Sequence, residues 1–292
     1  MATSSPGPMD QSCAVLVQLG PQGPALLPSR SPFLRADDMG VLRGDGVFER
    51  FIVNAGQPRH LEDHIARLAR SAGSIGLALP SESAWRQAVA AGIAAWMGAQ
   101  EWEMRLVCTR GPEEGGPPTA YVLGQELSSR LLRQRIDGVS AITISRGLPS
   151  GLVEEAPWLL LGAKTLSYAV NLAATRWAGS RGADDAIFVG TDGIVWEAGT
   201  SAVVACFGTR RLVSPPPSVG VLDSISVHRL FETAEASGWE VAREDLSVDD
   251  LFGADGLWLC SSLRLTRVHT LDGKGLPPAA ANEELVALAA AS

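Results

Sequence analysis

The order in which strand-like and helix-like runs follow one another limits the fold of this chain more than any other feature of its sequence. Runs that read as strands lie at 14–19, 42–53, 104–109, 119–123, 141–146, 186–189, 194–197, 201–206, 212–214, 257–260 and 267–271. Turn residues divide them, among them the TDG that makes 186–197 a predicted β-hairpin. Helical spacing runs from His60 to Leu77, with Ile65, Leu68, Ala69, Ala72 and Ile75 on one face. Ser81 reads as the N-cap of a second helix reaching Trp96. Two more helices are predicted at Leu166–Trp177 and at Ser224–Ser237, the latter closed by Gly238. There is little βαβ regularity, so the predicted class is α+β.

At 292 residues the chain is too long for one minimal core and suits two lobes. The expected division is a disordered tail at 1–12, a small N-terminal α+β lobe at 13–125 and a charged connection at 126–139. A larger C-terminal lobe at 140–280 and an Ala-rich helix or tail at 281–292 follow. Net charge is -8 with no basic run, which argues against a nucleic-acid partner. No apolar stretch approaches the roughly 20 residues needed to span a bilayer. The N-terminus has neither the basic region nor the apolar stretch of a secretory signal. Cys13, Cys108, Cys206 and Cys260 are far apart and read as reduced thiols of a cytoplasmic protein. No metal site is expected: His60 and His64 stand four apart, but Leu61 occupies the place of the H-E-x-x-H glutamate.

Lysine usage is more informative. Of 24 basic residues only Lys164 and Lys274 are lysine. Lys274 lies in a polar LDGKG turn, whereas Lys164 lies in the apolar WLLLGAKTLSYAV. An ammonium can lose its proton when desolvated and act as a nucleophile; a guanidinium cannot. Lys164 is therefore either a functional amine or a lysine snorkelling from a sheet edge. Tyr168, four residues on, is a hydroxyl partner or a core tyrosine. Glu197, after Ile194, Val195 and Trp196, is a buried carboxylate or an edge-strand charge. Ser224, Ile225 and Ser226 open a helix after a Pro/Gly-rich loop, as a phosphate cradle or a plain N-cap. Arg67 is a phosphate cation or a solvated helix arginine. An amine, a hydroxyl, a carboxylate and a helix start are the parts that pyridoxal 5'-phosphate chemistry requires.

Seven stretches carry a resemblance: DDMGVLRGDGVFE (37–49), HIARL (64–68), MRLVCTRG (104–111), KTLSYAVN (164–171), GADDAIFVGTDGIVWEAGTS (182–201), GVLDSIS (220–226) and DGLWLCSSLRLTRV (255–268). In this order the chain resembles the fold-type IV pyridoxal-phosphate enzymes, which include branched-chain aminotransferases, D-amino acid aminotransferases and 4-amino-4-deoxychorismate lyases. The resemblance implies two lobes with the cofactor between them, and a homodimer. It implies that Lys164 forms the Schiff base, Glu197 pairs with the ring nitrogen and Tyr168 meets the phenolate oxygen. Arg67, the Ile225–Ser226 backbone, the Ser226 hydroxyl and Ser261 would hold the phosphate. Phe48, Arg105 and Ser262 would face a small-molecule substrate. Ala202 stands where the family usually has Asn, Val204 where it has an aromatic and Val227 where it has a cation, so a cofactor-binding protein without turnover stays open.

Within the family, Phe48 and the PEEGGPP loop lack the Tyr and the Arg/His of the D-amino acid clamp, so that class is expected to be excluded. Leu106 stands where branched-chain enzymes have Pro. RGDGVFE, AKTLSYAVN and SSLRLTRVHTLDG look most like actinobacterial aminodeoxychorismate lyases, although Glu49 stands where enteric-type lyases tend to have Thr. The expected reaction is therefore release of 4-aminobenzoate and pyruvate, with transamination of branched-chain L-amino acids, ahead of D-amino acids, as the alternative.

Overall fold

The computed structural model describes residues 13–29 and 32–291; the tail expected at 1–12 lies outside them. The first part of the chain runs β1 (Ala14–Gly20), β2 (Gly23–Leu27), α1 (Met39–Arg43), β3 (Gly46–Asn54), β4 (Gln57–Pro58), α2 (Leu61–Ser74), α3 (Glu82–Ala95), β5 (Glu101–Thr109) and β6 (Thr119–Glu126). Its strands form one six-stranded antiparallel sheet in the order β2-β1-β6-β5-β3-β4. Side chains alternate across a strand. Val47, Phe51 and Val53 therefore join Met104 and Leu106 in a core with Leu68 of α2 and Trp85 of α3. Phe48, Arg50, Arg105, Val107 and Tyr121 take the opposite face and line a cavity.

After α4 (Ser129–Asp137) come β7 (Val139–Ser145), α5 (Ala169–Ser180), β8 (Asp185–Val189), β9 (Val195–Ala198), β10 (Ala202–Phe207) and β11 (Arg211–Ser214). They are followed by α6 (Ile225–Ala236), β12 (Glu240–Arg243), α7 (Val248–Gly253), β13 (Gly256–Ser261), β14 (Arg264–Leu271), β15 (Lys274–Gly275) and α8 (Asn282–Ala291). The nine strands run β12-β11-β10-β13-β14-β7-β8-β9, with β15 on β14 and a further pairing of β9 with β10. That last pairing closes β10, β13, β14, β7, β8 and β9 into a barrel, whose interior is filled by side chains. Val203 and Ala205 point inward among Val139, Ile187, Leu257 and Leu259. Their neighbours Ala202, Val204 and Cys206 point outward with Trp258, under Val227 and Leu230 of α6.

Four sequence expectations need correcting. The strand read at 42–53 begins at Gly46, because Asp38 caps α1 by accepting from Gly40 N and Gly44, at φ 69°, ends it. Gly46 packs so tightly that a Cβ there would come within 2.6 Å of the Cys108 carbonyl oxygen and 2.7 Å of Leu166. The helix read from Leu166 begins at Ala169, because 164–166 lies along β3: Phe48 N donates to Lys164 O (3.1 Å) and Leu166 N to Gly46 O (2.8 Å). The connection at 126–139 holds helix α4, capped by Ser128. Finally, β7–β8 and β11–β12 pair in parallel, so the chain makes crossovers through α5 and α6 where little βαβ regularity was expected, while the α+β class itself holds.

The two sheets are tied across the cavity. Arg67 of α2 donates to the Asp223 carbonyl (2.9 Å) and Arg229 of α6 pairs with Asp63 of α2. Arg135 of α4 donates to Leu263 O (2.6 and 2.9 Å) and to Glu101 (2.6 Å).

Candidate active site

A cavity of about 550 Å³ lies between the two sheets. Lys164, Tyr168, Glu197, Arg67, Ser226, Ser261, Phe48, Arg105 and Ser262, all singled out from the sequence, line it; the Ile225 side chain is buried beside it. Lys164 enters on an extended segment whose backbone is pinned on both sides, since its N–H donates to Ser71 Oγ (3.0 Å) and its carbonyl accepts from Phe48. Its Nζ is 3.2 Å from Tyr168 Oη and 4.4 Å from the centre of the Phe48 ring. Tyr168 stands at the start of α5 and meets Phe48 edge to face at 5.1 Å.

Glu197, one residue before the end of β9, stands opposite Ala202 of β10. Its carboxylate accepts one hydrogen bond, from Leu222 N–H at 3.3 Å. Burial pushes this carboxyl up to about 7, and the Leu222 N–H and Lys164 only partly offset the rise. A carboxyl in that condition is stabilised by a cationic N–H donor. Across the cavity, α6 begins with Ser224, whose hydroxyl takes Val227 N–H. The N–H groups of Ile225 and Ser226 in the first turn have no intrahelical acceptor, which makes the helix start an anion seat. Val227, where a cation was the family expectation, is fully buried in the apolar core under the helix.

Arg67 is buried, not solvated. Its Nε and Nη2 grip Glu49 at 2.7 and 2.8 Å while Nη1 reaches the loop before α6. Burial alone would raise the Glu49 carboxyl, but Arg67 and His64 outweigh it and hold the group at about 2. His64 Nδ1 is 2.7 Å from the same carboxylate. On the far wall Arg105 Nη2 donates to Glu103 (3.0 Å), as does Arg50 Nε (2.7 Å). Arg105 Nε is buried without a partner. Arg264 pairs with Asp185 at 2.8 Å and with Gln134.

Arg50 and Ser71 were not picked out from the sequence, and Glu49 and His64 were given no role in the site there, Glu49 standing only as a departure from the enteric-type lyases and His64 only in a rejected metal pair. For Glu49 a signal was present: it falls on the period-two face of Val47, Phe51 and Val53, so its carboxylate had to be buried and paired. His64 and Arg67 stand three apart on the same face of α2, a spacing that lets both reach one carboxylate, Glu49. Arg50 follows Phe48 by two on the cavity face. Ser71 carried no signal, because its role depends on a segment 93 residues away.

The arrangement suits a planar aromatic cation bearing a phosphate. The amine stands at one wall, the raised carboxyl would meet a ring cation, and the helix start and Arg67 would take an anion. Among the described residues no group of His, Cys, Asp or Glu could hold a metal ion.

Residues 46–271 match the family description Amino-transferase class IV. A Mycobacterium tuberculosis protein named bifunctional aminodeoxychorismate lyase / D-amino acid transaminase is 45% identical over 255 residues, 84% of this chain and 88% of its own. The pyridoxal-phosphate-bound structure of a hypothetical aminotransferase from the same species superposes with a TM-score of 0.91 at 42% identity, covering 95% of this chain and 98% of that one. A fold IV transaminase of Curtobacterium pusillum gives 0.89 at 37%, covering 95% and 99%.

Proposed function

The chain belongs to the class IV amino-transferase family, and from that premise we propose that it is a pyridoxal 5'-phosphate-dependent 4-amino-4-deoxychorismate lyase, releasing 4-aminobenzoate and pyruvate. The observation that carries the reading is the cavity between the two sheets in which Lys164, Tyr168 and Glu197 converge opposite the start of α6.

The cofactor, when bound, supplies an electron sink conjugated to the substrate nitrogen. Lys164 would hold its aldehyde carbon. Glu197 would keep the proton at its ring nitrogen and Tyr168 would meet its phenolate oxygen. Arg67, the Ile225 and Ser226 N–H groups, the Ser226 hydroxyl and Ser261 would hold its phosphate. The freed Lys164 Nζ, 3.2 Å from Tyr168 Oη, is the base that takes the proton from the substrate carbon bearing nitrogen. The bond from the substrate ring to the enolpyruvyl oxygen would then break, the released enolpyruvate would take up the proton that Lys164 removed and become pyruvate, and the substrate ring would become aromatic. Atoms balance without water or a second substrate. Arg50 and Arg105, with Phe48 and Ser262, would seat the substrate's carboxylates.

Transamination of D-amino acids is the second reading. The 45% identical relative is named for both activities. The D-amino acid class, which Phe48 and the PEEGGPP loop were expected to exclude, therefore stays open for this chain. The test is enzyme with aminodeoxychorismate alone. Repeated release of pyruvate with no added keto acid supports the lyase. No pyruvate, together with rapid conversion of the cofactor to its amine form by D-alanine, makes the chain an aminotransferase.

The lyase product is a folate precursor, so this reading would put the chain in folate synthesis. The four free cysteines suit a reducing cytoplasm. Among the described residues no helix is long and apolar enough to cross a membrane. A homodimer is supported by the exposed apolar side chains Val41 and Leu42 of α1 and Val170 and Leu172 of α5; sedimentation tests it.

A further inference from the structure

Four polar side chains form a run from β3 to the start of α6. Glu49 Oε2 is 2.7 Å from His64 Nδ1, His64 Nε2 is 3.5 Å from Ser262 Oγ, and Ser262 Oγ is 3.2 Å from Ser226 Oγ. Glu49 and His64 are fully shielded, while Ser262 and Ser226 stand at the cavity wall.

Glu49 is held ionised, so it can only accept, and His64 Nδ1 must carry a hydrogen toward it. The state of Nε2 then sets the direction of everything beyond. With neutral His64, Nε2 accepts from the Ser262 hydroxyl, and Ser262 accepts from Ser226. Both hydroxyl hydrogens then point away from the start of α6, and Ser226 presents only lone pairs to it. With protonated His64 the run reverses: Nε2–H donates to Ser262, Ser262 to Ser226, and the Ser226 hydrogen joins the Ile225 and Ser226 N–H groups.

The groups facing His64 are Glu49 from β3, Arg67 from its own helix and Lys164 from the segment before α5. Behind Ser262 lies a second cavity of about 340 Å³, where Arg59, His60, Arg264 and the Arg135–Glu101 pair stand and α8 contributes only Val286, Ala289 and Ala290. Burial lowers the imidazole and Arg67 and Lys164 add to this, while Glu49 opposes it. An arriving dianion adds two negative charges at the end of the run and favours the reversed arrangement.

We propose that His64 takes up a solvent proton when a phosphate dianion occupies the start of α6, and that Ser262 and Ser226 reverse their hydrogen bonds with it. This rests on the phosphate placement given above. The proton enters through the second cavity, which His64 lines. His64 is a positioning residue: it acts through the two serines.

The experiment is titration calorimetry of apoprotein with pyridoxamine 5'-phosphate and with pyridoxamine, near pH 7.5, in two phosphate-free buffers of different ionisation enthalpy. Neither compound condenses with Lys164, and the free phosphate, with a second pKa of ~6, is already mostly dianionic. The phosphorylated compound is expected to take up about half a proton or more beyond pyridoxamine. In His64→Asn, whose amide can still serve Glu49 but leaves no group at Nε2, the extra uptake disappears and affinity for the phosphorylated compound falls about tenfold. Pyridoxamine binding is retained, and the ³¹P resonance of the bound phosphate stays at the dianion position. Should His64→Asn lose pyridoxamine binding, His64→Gln, which keeps a neutral group near Nε2, serves instead. No extra uptake in the parent, or the same uptake in the variant, overturns the proposal. Equal affinity for the two compounds overturns the phosphate placement itself.

Discussion

Glu197 and Ala202 face each other across the pairing of β9 with β10 that closes the barrel. The carboxyl that the cavity most needs is therefore carried by the strand junction itself, where packing on both sides fixes its position. A small side chain at 202 leaves the cavity open above it. Replacing Glu197 with Gln should leave the cofactor bound and slow turnover on the order of 10²-fold or more, because an amide cannot keep the ring nitrogen protonated. Near-normal turnover would make Glu197 a strand residue only.

The amine is tested directly. Borohydride reduction of the loaded protein followed by peptide mapping should place the pyridoxyl group on Lys164. Label on Lys274, which lies in an exposed strand at the barrel edge, would remove Lys164 from the reaction.

The same Glu197 carboxyl makes apoprotein stability depend on pH. Its folded value of about 7 lies above the ordinary 4.5, so the folded state binds the proton more tightly. Stability from this group is fully present below pH 4.5 and is lost as pH rises through 7, by at most about 3 kcal/mol. Denaturation of the apoprotein at pH 5 and pH 8 should show the fall, and Glu197→Gln should flatten it. An unchanged pH profile in that variant would assign the slope elsewhere.

Glu49 has the opposite sign. Its value of about 2 lies below the ordinary 4.5, so its contribution is present above 4.5 and is lost as pH falls toward 2. Glu49→Gln removes one partner of a buried pair and leaves Arg67 uncompensated, which should destabilise the fold by about 3–5 kcal/mol in urea unfolding. A loss under about 1 kcal/mol, the range of an exposed ion pair, would contradict the buried geometry.

Arg105→Leu should raise KM about tenfold or more and change kcat far less, since one charge-assisted bond to a carboxylate is removed before the bonds that react are reached. A matched fall in kcat with unchanged KM would move Arg105 from substrate seating to the chemistry.

What was legible in the sequence follows from range. Lys164 stood out because arginine replaces lysine nearly everywhere else, and the strands and caps of Ser81 and Ser224 follow local rules. The closure of β9 on β10 and the parallel pairing of β7 with β8 depend on partners whose identity no local pattern specifies. Leu166 read as the start of a helix for the same reason: what holds 164–166 extended is β3, more than a hundred residues earlier. Glu49 and His64 were hidden because each looks like an ordinary surface charge until strand alternation and helix spacing are read against each other.

The strip of backbone that runs from Lys164 to Leu166 along β3 bears on how the polypeptide could be divided. An N-terminal fragment ending in α4 would leave the Phe48 amide and the Gly46 carbonyl uncovered at a strand edge, open to pairing with other chains. A fragment starting at β7 would carry the amine with nothing to hold its segment extended. Two such halves, expressed together, would work only as complementing pieces, each supplying the template on which the other's strand is laid.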